Sequence, residues 1–236
     1  MPFFILLVLI SGCRKDKDNT PSSQYVSSAI AGDTTAAYGS YTRYQPILEI
    51  IAPWHSGNSS EIDLNDDGIN DISISVYWDI SPGGLNAHSA YLTTLRDQVQ
   101  FRFSIYRDTT VSWTVQTPNG VMTVSENYNS SISYPSNAAL NPIADSALAR
   151  LAAGDTISVA TGEWKPGSFR LVTANFSSNQ FTSNNVILGN FRDISPAFVA
   201  FRVEMADRID FGWMEMYVTN YSEVYITRKM RYSSSL

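Results

Sequence analysis

Residues 63–71 read Asp-Leu-Asn-Asp-Asp-Gly-Ile-Asn-Asp, a spacing that can build a cation site. Side-chain oxygens of Asp63, Asn65, Asp67 and Asp71, with the main-chain carbonyl of Ile69, can converge on one hard cation, and Gly68 supplies the sharp bend. Ca²⁺ is the expected ion, because the carboxylates of Asp63, Asp67 and Asp71 repel one another when nothing positive stands between them. The competing reading is an Asx-rich turn without metal, for which the same residue types serve equally well. The twelfth position is Ile74, where an EF-hand would need a bidentate Glu, so the loop is of a shorter kind that connects strands.

A second constellation follows from strand parity. Facing residues 197–205 against 211–218 puts Val199, Phe201 and Val203 on one side with Gly212, Met214 and Met216, which is the core side. The opposite side carries Phe198, Arg202, Glu204, Phe211, Trp213, Glu215 and Tyr217. Arg202, Trp213, Glu215 and Tyr217 there form the expected ligand face, with the rings stacking on a sugar and the charged groups holding its hydroxyls. The competing reading is a covered face with Arg202 packed on Trp213 as a cation–π pair. An enzyme of the polysaccharide-degrading jelly-roll type would work through Glu204 or Glu215, but no paired-carboxylate signature accompanies them. No G-x-S-x-G elbow and no phosphate-binding glycine loop occurs. His55 and His88, the only two histidines, are expected in polar loops and solvated.

These residues need a scaffold, and its dominant period is two. Residues 72–76, 99–105, 111–115 and 121–124 alternate apolar and polar, with Thr117-Pro118-Asn119-Gly120 marking a hairpin. Further strands are expected at 156–160, 169–174, 197–205, 211–218 and 223–228. One helix is expected over 142–152, where Ile143, Ala147, Leu148 and Leu151 share a face and Gly154 stops it. The predicted fold is all-β with minor α: an antiparallel β-sandwich or jelly roll with one short helix, forming a single domain over 25–236.

The N-terminus has its own chemistry. Phe3 to Ile10 is an unbroken apolar run, too short to span a bilayer but of signal-peptide length. The four residues Ile10-Ser11-Gly12-Cys13 resemble the lipobox of bacterial lipoproteins. The resemblance implies a signal peptide over 1–12, cleavage before Cys13, a diacylglycerol on its thiol, and attachment to a membrane through it. Arg14 to Asn19 and then Thr20-Pro21-Ser22-Ser23 read as a flexible tether over 13–24. The charged block is similar to surface-export signals of Bacteroidetes-type lipoproteins, which implies an outer-membrane or cell-surface location. Residues 62–72, together with Phe198-Val199-Ala200-Phe201-Arg202 and Phe211-Gly212-Trp213-Met214-Glu215-Met216, resemble uncharacterised secreted β-proteins of Bacteroidetes with a DxNxDGxxD opening.

Composition bounds the partners. The net charge is −6, and only 16% of the 236 residues are charged. With no Lys/Arg cluster after residue 17, nucleic acid is excluded as a partner. Cys13 is the single cysteine, so no internal disulfide forms. The expectation is a lipid-anchored, extracytoplasmic, calcium-stabilised β-domain that binds a glycan. A structural subunit of an envelope complex, meeting an envelope protein through the aromatic face, is the other non-enzymatic reading.

Overall fold

The structure, a computed structural model, describes residues 26–35, 39–81, 84–192 and 195–235. The signal peptide, Cys13 and the tether lie outside the described residues.

The described chain is all-β. Its strands are β1 (Ser28–Ile30), β2 (Ser40–Ile51), β3 (Ser56–Ile62), β4 (Ile72–Ile80), β5 (Asn86–Thr94), β6 (Val99–Thr117), β7 (Gly120–Asn127) and β8 (Ala139–Leu148). They continue as β9 (Thr156–Ser158), β10 (Trp164–Lys165), β11 (Ser168–Ser178), β12 (Thr182–Leu188), β13 (Ala197–Glu204), β14 (Arg208–Thr219) and β15 (Glu223–Ser235).

One large sheet runs β2-β15-β14-β13-β6-β7-β12-β11-β5-β4-β3, with β8 and β10 attached to β6. It curls almost into a barrel, so that the end strands β2 and β3, consecutive in the chain, approach one another. The Asn58 amide donates to the Ile51 carbonyl across that gap (3.1 Å). The sheet is mixed, not purely antiparallel, because β12 pairs β7 in parallel.

The expected helix is a strand. Ala139–Leu148 pairs antiparallel with β6 from Ser112 to Phe103. Its alanines favour a helix locally, but the long strand β6 offers a ladder that satisfies the same backbone groups and buries Ala147 and Leu148. Pro142 is tolerated because β8 is hydrogen-bonded on one side only.

The concave side of the sheet holds the main core. Inward-pointing residues are Ile72, Ile74 and Val76 from β4, Ala90 and Leu92 from β5, Val199, Phe201 and Val203 from β13, and Phe169, Leu171 and Val172 from β11, where a register shift interrupts the alternation. Phe101 meets Phe169 edge-on at 6.1 Å. Each such large side chain contributes roughly 1.5–3 kcal/mol by leaving water.

A second core lies on the outer side of β13, β14 and β15. There Phe198, Ala200, Phe211, Trp213, Met230 and Tyr232 are buried beneath Ala29, Ala31, Leu151, Ile157 and Val159. The small β1–β9 sheet is part of this cover, and a Leu151–Phe198 bridge holds the cover to β13.

Candidate functional site

The open end of the curled sheet is lined with rings. Continuing the inward series of β4 past Val76 brings Trp78 to the rim, and continuing β5 past Ala90 brings His88 and then Asn86. The register pairs Trp78 with His88 and His88 with Ala174. The next row is Ile80, Asn86 and Phe176. Apolar inward positions thus give way to aromatic and amide ones at the mouth. The β14–β15 turn closes over them with Asn220 and Tyr221, both at positive φ. These residues, with Ser222 and Glu223, enclose a cavity of about 360 Å³, within the ~300–1,000 Å³ of small-molecule sites. Mouths of barrels are a recurrent place for such sites.

The rings form a stack running from solvent to interior. Trp54, on the β2–β3 turn, is 62% exposed. It lies over Trp78 (6.3 Å, 27°), and Trp78 lies over His88 (5.4 Å, 15°). Phe176 and Tyr221 meet His88 edge-on at 6.3 and 6.1 Å. The indole N–H of Trp78 donates to the Asn86 side-chain oxygen (3.0 Å), which fixes the ring plane.

His88 is buried, contrary to the expectation of a solvated loop residue. Burial pushes its pKa down, and the Glu223 carboxylate only partly opposes this. The imidazole is therefore neutral at pH 7. His88 Nδ1 and Ser222 Oγ share a hydrogen bond (3.0 Å), and Ser222 Oγ also reaches the Asn220 carbonyl (3.3 Å), so the ring is held in place by the β14–β15 turn. Burial alone would raise the pKa of Glu223. Hydrogen bonds donated by Thr219 (2.7 Å), Asn220 (2.9 Å) and Tyr225 (3.2 Å) outweigh it and hold the carboxyl below its usual range. No signal in the sequence marked this group, because its members come from four strands and two turns.

The ligand face expected on β13 and β14 is closed at Trp213, while Arg202, Glu215 and Tyr217 are half-buried and engaged by neighbours. The register pairs Phe198 with Glu215, Ala200 with Trp213 and Arg202 with Phe211, so the parity argument holds. The side away from the main core is the second core, and Trp213 is 0% exposed. A ring without accessible surface offers a sugar no platform. Arg202 does not sit on Trp213; it lies over Trp164 (5.2 Å) and bonds Gln100 and the Val159 carbonyl. Arg228 takes the place on Trp213 (5.7 Å) while chelating Glu215 at 2.9 and 3.0 Å. Tyr217 stacks on Tyr225 (4.9 Å, 6°). Glu204 pairs with Arg202 at 3.0 Å. Glu204 lies opposite Ile209, six residues along β14 from Glu215. At ~3.4 Å per residue that is about 20 Å, too far for paired catalytic carboxylates, which stand ~5–10 Å apart.

The acidic loop joins β3 to β4 at the other end of the sheet. Asp63 accepts from the amides of Asn65 (3.1 Å), Asp67 (3.3 Å) and Gly68 (2.6 Å). The Asp67 carboxylate accepts from the Ile69 amide (2.8 Å), and Asp66 and Gly68 take the positive φ values that the tight loop requires. Asp71 is fully buried; it accepts from the Leu64 amide (2.8 Å) and from Arg96, which also stands 3.7 Å from Asp67. Lys229 bonds Asp66 (2.7 Å) and the Asp63 carbonyl (2.6 Å), and Arg231 bonds the Asn65 carbonyl. Among the described residues no group of three or more His, Cys, Asp or Glu side chains converges as a ligand set. The chain's own cations supply much of the positive charge that the sequence reading assigned to calcium. The loop lies about 20 Å from Trp78, six residues along β4, so whatever it holds does not touch the mouth.

No protein-family model, no curated protein and no solved structure matches this chain.

Proposed function

We propose that this is a lipid-anchored, extracytoplasmic ligand-binding module whose ligand, a glycan, enters the open end of the curled sheet. The observation that carries the reading is the stack of exposed Trp54 on Trp78 and of Trp78 on a buried, neutral His88. Flat apolar faces beside Asn86, Asn220 and Glu223 suit a sugar ring, which is apolar on its C–H face and hydroxylated at its edge. A binding role needs no reacting pair of carboxylates, and the mouth presents one fixed carboxylate, Glu223.

The test is Trp54→Ala titrated against cello-, malto-, laminari-, chito- and manno-oligosaccharides. Because Trp54 is largely exposed, stability should change by no more than ~0.5 kcal/mol. Binding of whichever oligosaccharide the wild type takes should weaken by about 2 kcal/mol, roughly 30-fold, as for a stacking anchor. Equal affinity of the mutant and wild type would remove the mouth as the site.

Attachment through Cys13 is the part of the proposal that rests on the lipobox resemblance. Cys13→Ala should move the protein from the membrane to the soluble fraction, and unchanged membrane association would sink it.

Calcium at the acidic loop is proposed as a competitor of Arg96 for the oxygens of Asp67 and Asp71. Extracellular sites of this class bind at about 10⁻⁴ to 10⁻³ M. At ~100-fold excess over Kd the stabilisation is about 2.7 kcal/mol. Arg96→Ala should enlarge the calcium-induced rise in melting temperature. If millimolar calcium shifts neither protein, the loop is a metal-free turn closed by Arg96, Lys229 and Arg231.

A further inference from the structure

The charge around the mouth is one-sided. Elsewhere three buried or half-buried carboxylates are answered by arginine: Asp71 by Arg96, Asp210 by Arg208, and Glu215 by Arg228. Among the described residues no Lys or Arg lines the mouth cavity, and its one charged wall group is Glu223. The partners of that carboxylate are two hydroxyls and an amide, which orient it without cancelling its charge. A second carboxylate, Asp79, lies on the outer face of β4 beside the mouth, paired with His55 Nδ1 at 2.8 Å, and the His55 ring stacks on Trp54 at 4.9 Å.

Aromatic faces reinforce this field. The π-clouds of Trp78, Phe176 and Tyr221 attract a cation set against them, most strongly where water is displaced. A neutral sugar would use the stack and leave the Glu223 charge unanswered. An acidic sugar would be repelled by it.

Taking the mouth as the ligand site proposed above, we infer that it selects an oligosaccharide bearing protonated amines, one ring with its C–H face on the exposed Trp54 and an ammonium group toward Glu223. The ring stack takes the part common to hexoses, and the carboxylate reads the substituent. A charge-assisted hydrogen bond is about twice as strong as a neutral one, so the amine should decide the preference.

Three β-1,4-linked oligosaccharides of equal length test this, because they differ only at C2: cello-oligosaccharide (hydroxyl), chito-oligosaccharide (acetamide) and its deacetylated form (amine). Calorimetric titration at pH 6 and low salt should show the amine form binding at least about tenfold more tightly than the other two. The preference should shrink as salt is raised. Glu223→Gln should lower affinity for the amine form and leave the hydroxyl form within twofold, narrowing the gap. If Glu223→Gln does not fold, because the β14–β15 turn needs its carboxylate, the wild-type salt dependence of the amine preference reads the same charge coupling. Equal binding of all three sugars, each weakened by Trp54→Ala, overturns the charge inference while keeping the mouth as the site. Failure of all three to bind also overturns it, and the wider oligosaccharide panel with Trp54→Ala then decides the site independently.

Discussion

Trp213→Ala should destabilise the domain by about 3–5 kcal/mol, the range for deleting a large buried aromatic. The ring is fully buried, meets Phe198 edge-on at 5.1 Å, and carries Arg228 against its face. Removing it leaves a void between β14 and the cover, a cover too small to collapse into the space. For a domain of this size each kcal/mol is worth ~2–4 °C, so the melting temperature should fall by roughly 10 °C or more. At temperatures where the mutant stays folded, binding at the mouth should be unchanged, since Trp213 belongs to the core on the other side of the sheet. Trp54→Ala should show the reverse pattern: stability kept, binding lost. A Trp213→Ala protein that melts like wild type but loses its ligand would mean that the outer face of β13 and β14 opens to solvent and is the site after all.

Gly212→Ala should be more damaging still, although it adds only a methyl group. Gly212 lies opposite Arg231 in the β14–β15 ladder. A Cβ placed on it would overlap the carbonyl oxygen of Met230 and stand 2.9 Å from its carbonyl carbon. The obstacle is backbone, which cannot rotate away as a side chain does. β14 and β15 would have to separate, breaking the longest ladder in the sheet and loosening both cores, which share these strands. A loss above ~4 kcal/mol is expected, read as failure to refold or as a large drop in the denaturation midpoint. Gly154→Ala is the control: its positive φ carries a conformational cost, but its Cβ meets nothing within 4 Å, so the loss should stay near ~1 kcal/mol. Comparable stability of the two mutants would show that β14 and β15 part at Gly212 at little cost.

Much of the strand pattern is legible in the residues alone. Ile72 to Val76 and Val99 to Ile105 alternate so strongly that only a half-buried strand accounts for them, and they form β4 and part of β6. The hairpin at Thr117 to Gly120 is also present, though its two loop residues are Pro118 and Asn119. β5 escaped notice because its inward series is Asn86, His88, Ala90 and Leu92. Half of that series is polar, since it runs out of the core into the mouth. The site was hidden for the same reason: residues that line an opening break the alternation by which strands are recognised.

Local sequence therefore determined the all-β character, the parity of β13 against β14, and the turn chemistry of residues 63–71. These depend on neighbours along the chain, where backbone period and side-chain type are sufficient. Tertiary structure alone decided the rest. Parity says that a strand has two faces but not what covers each, and β1, β9 and residues 149–159 close the face that Trp213 occupies. Helix propensity over 142–152 amounts to tenths of a kcal/mol per residue, and the ladder along β6 outweighs it. Trp54, Trp78, His88, Phe176 and Tyr221 become one group only because the curled sheet brings the ends of distant strands to a common rim.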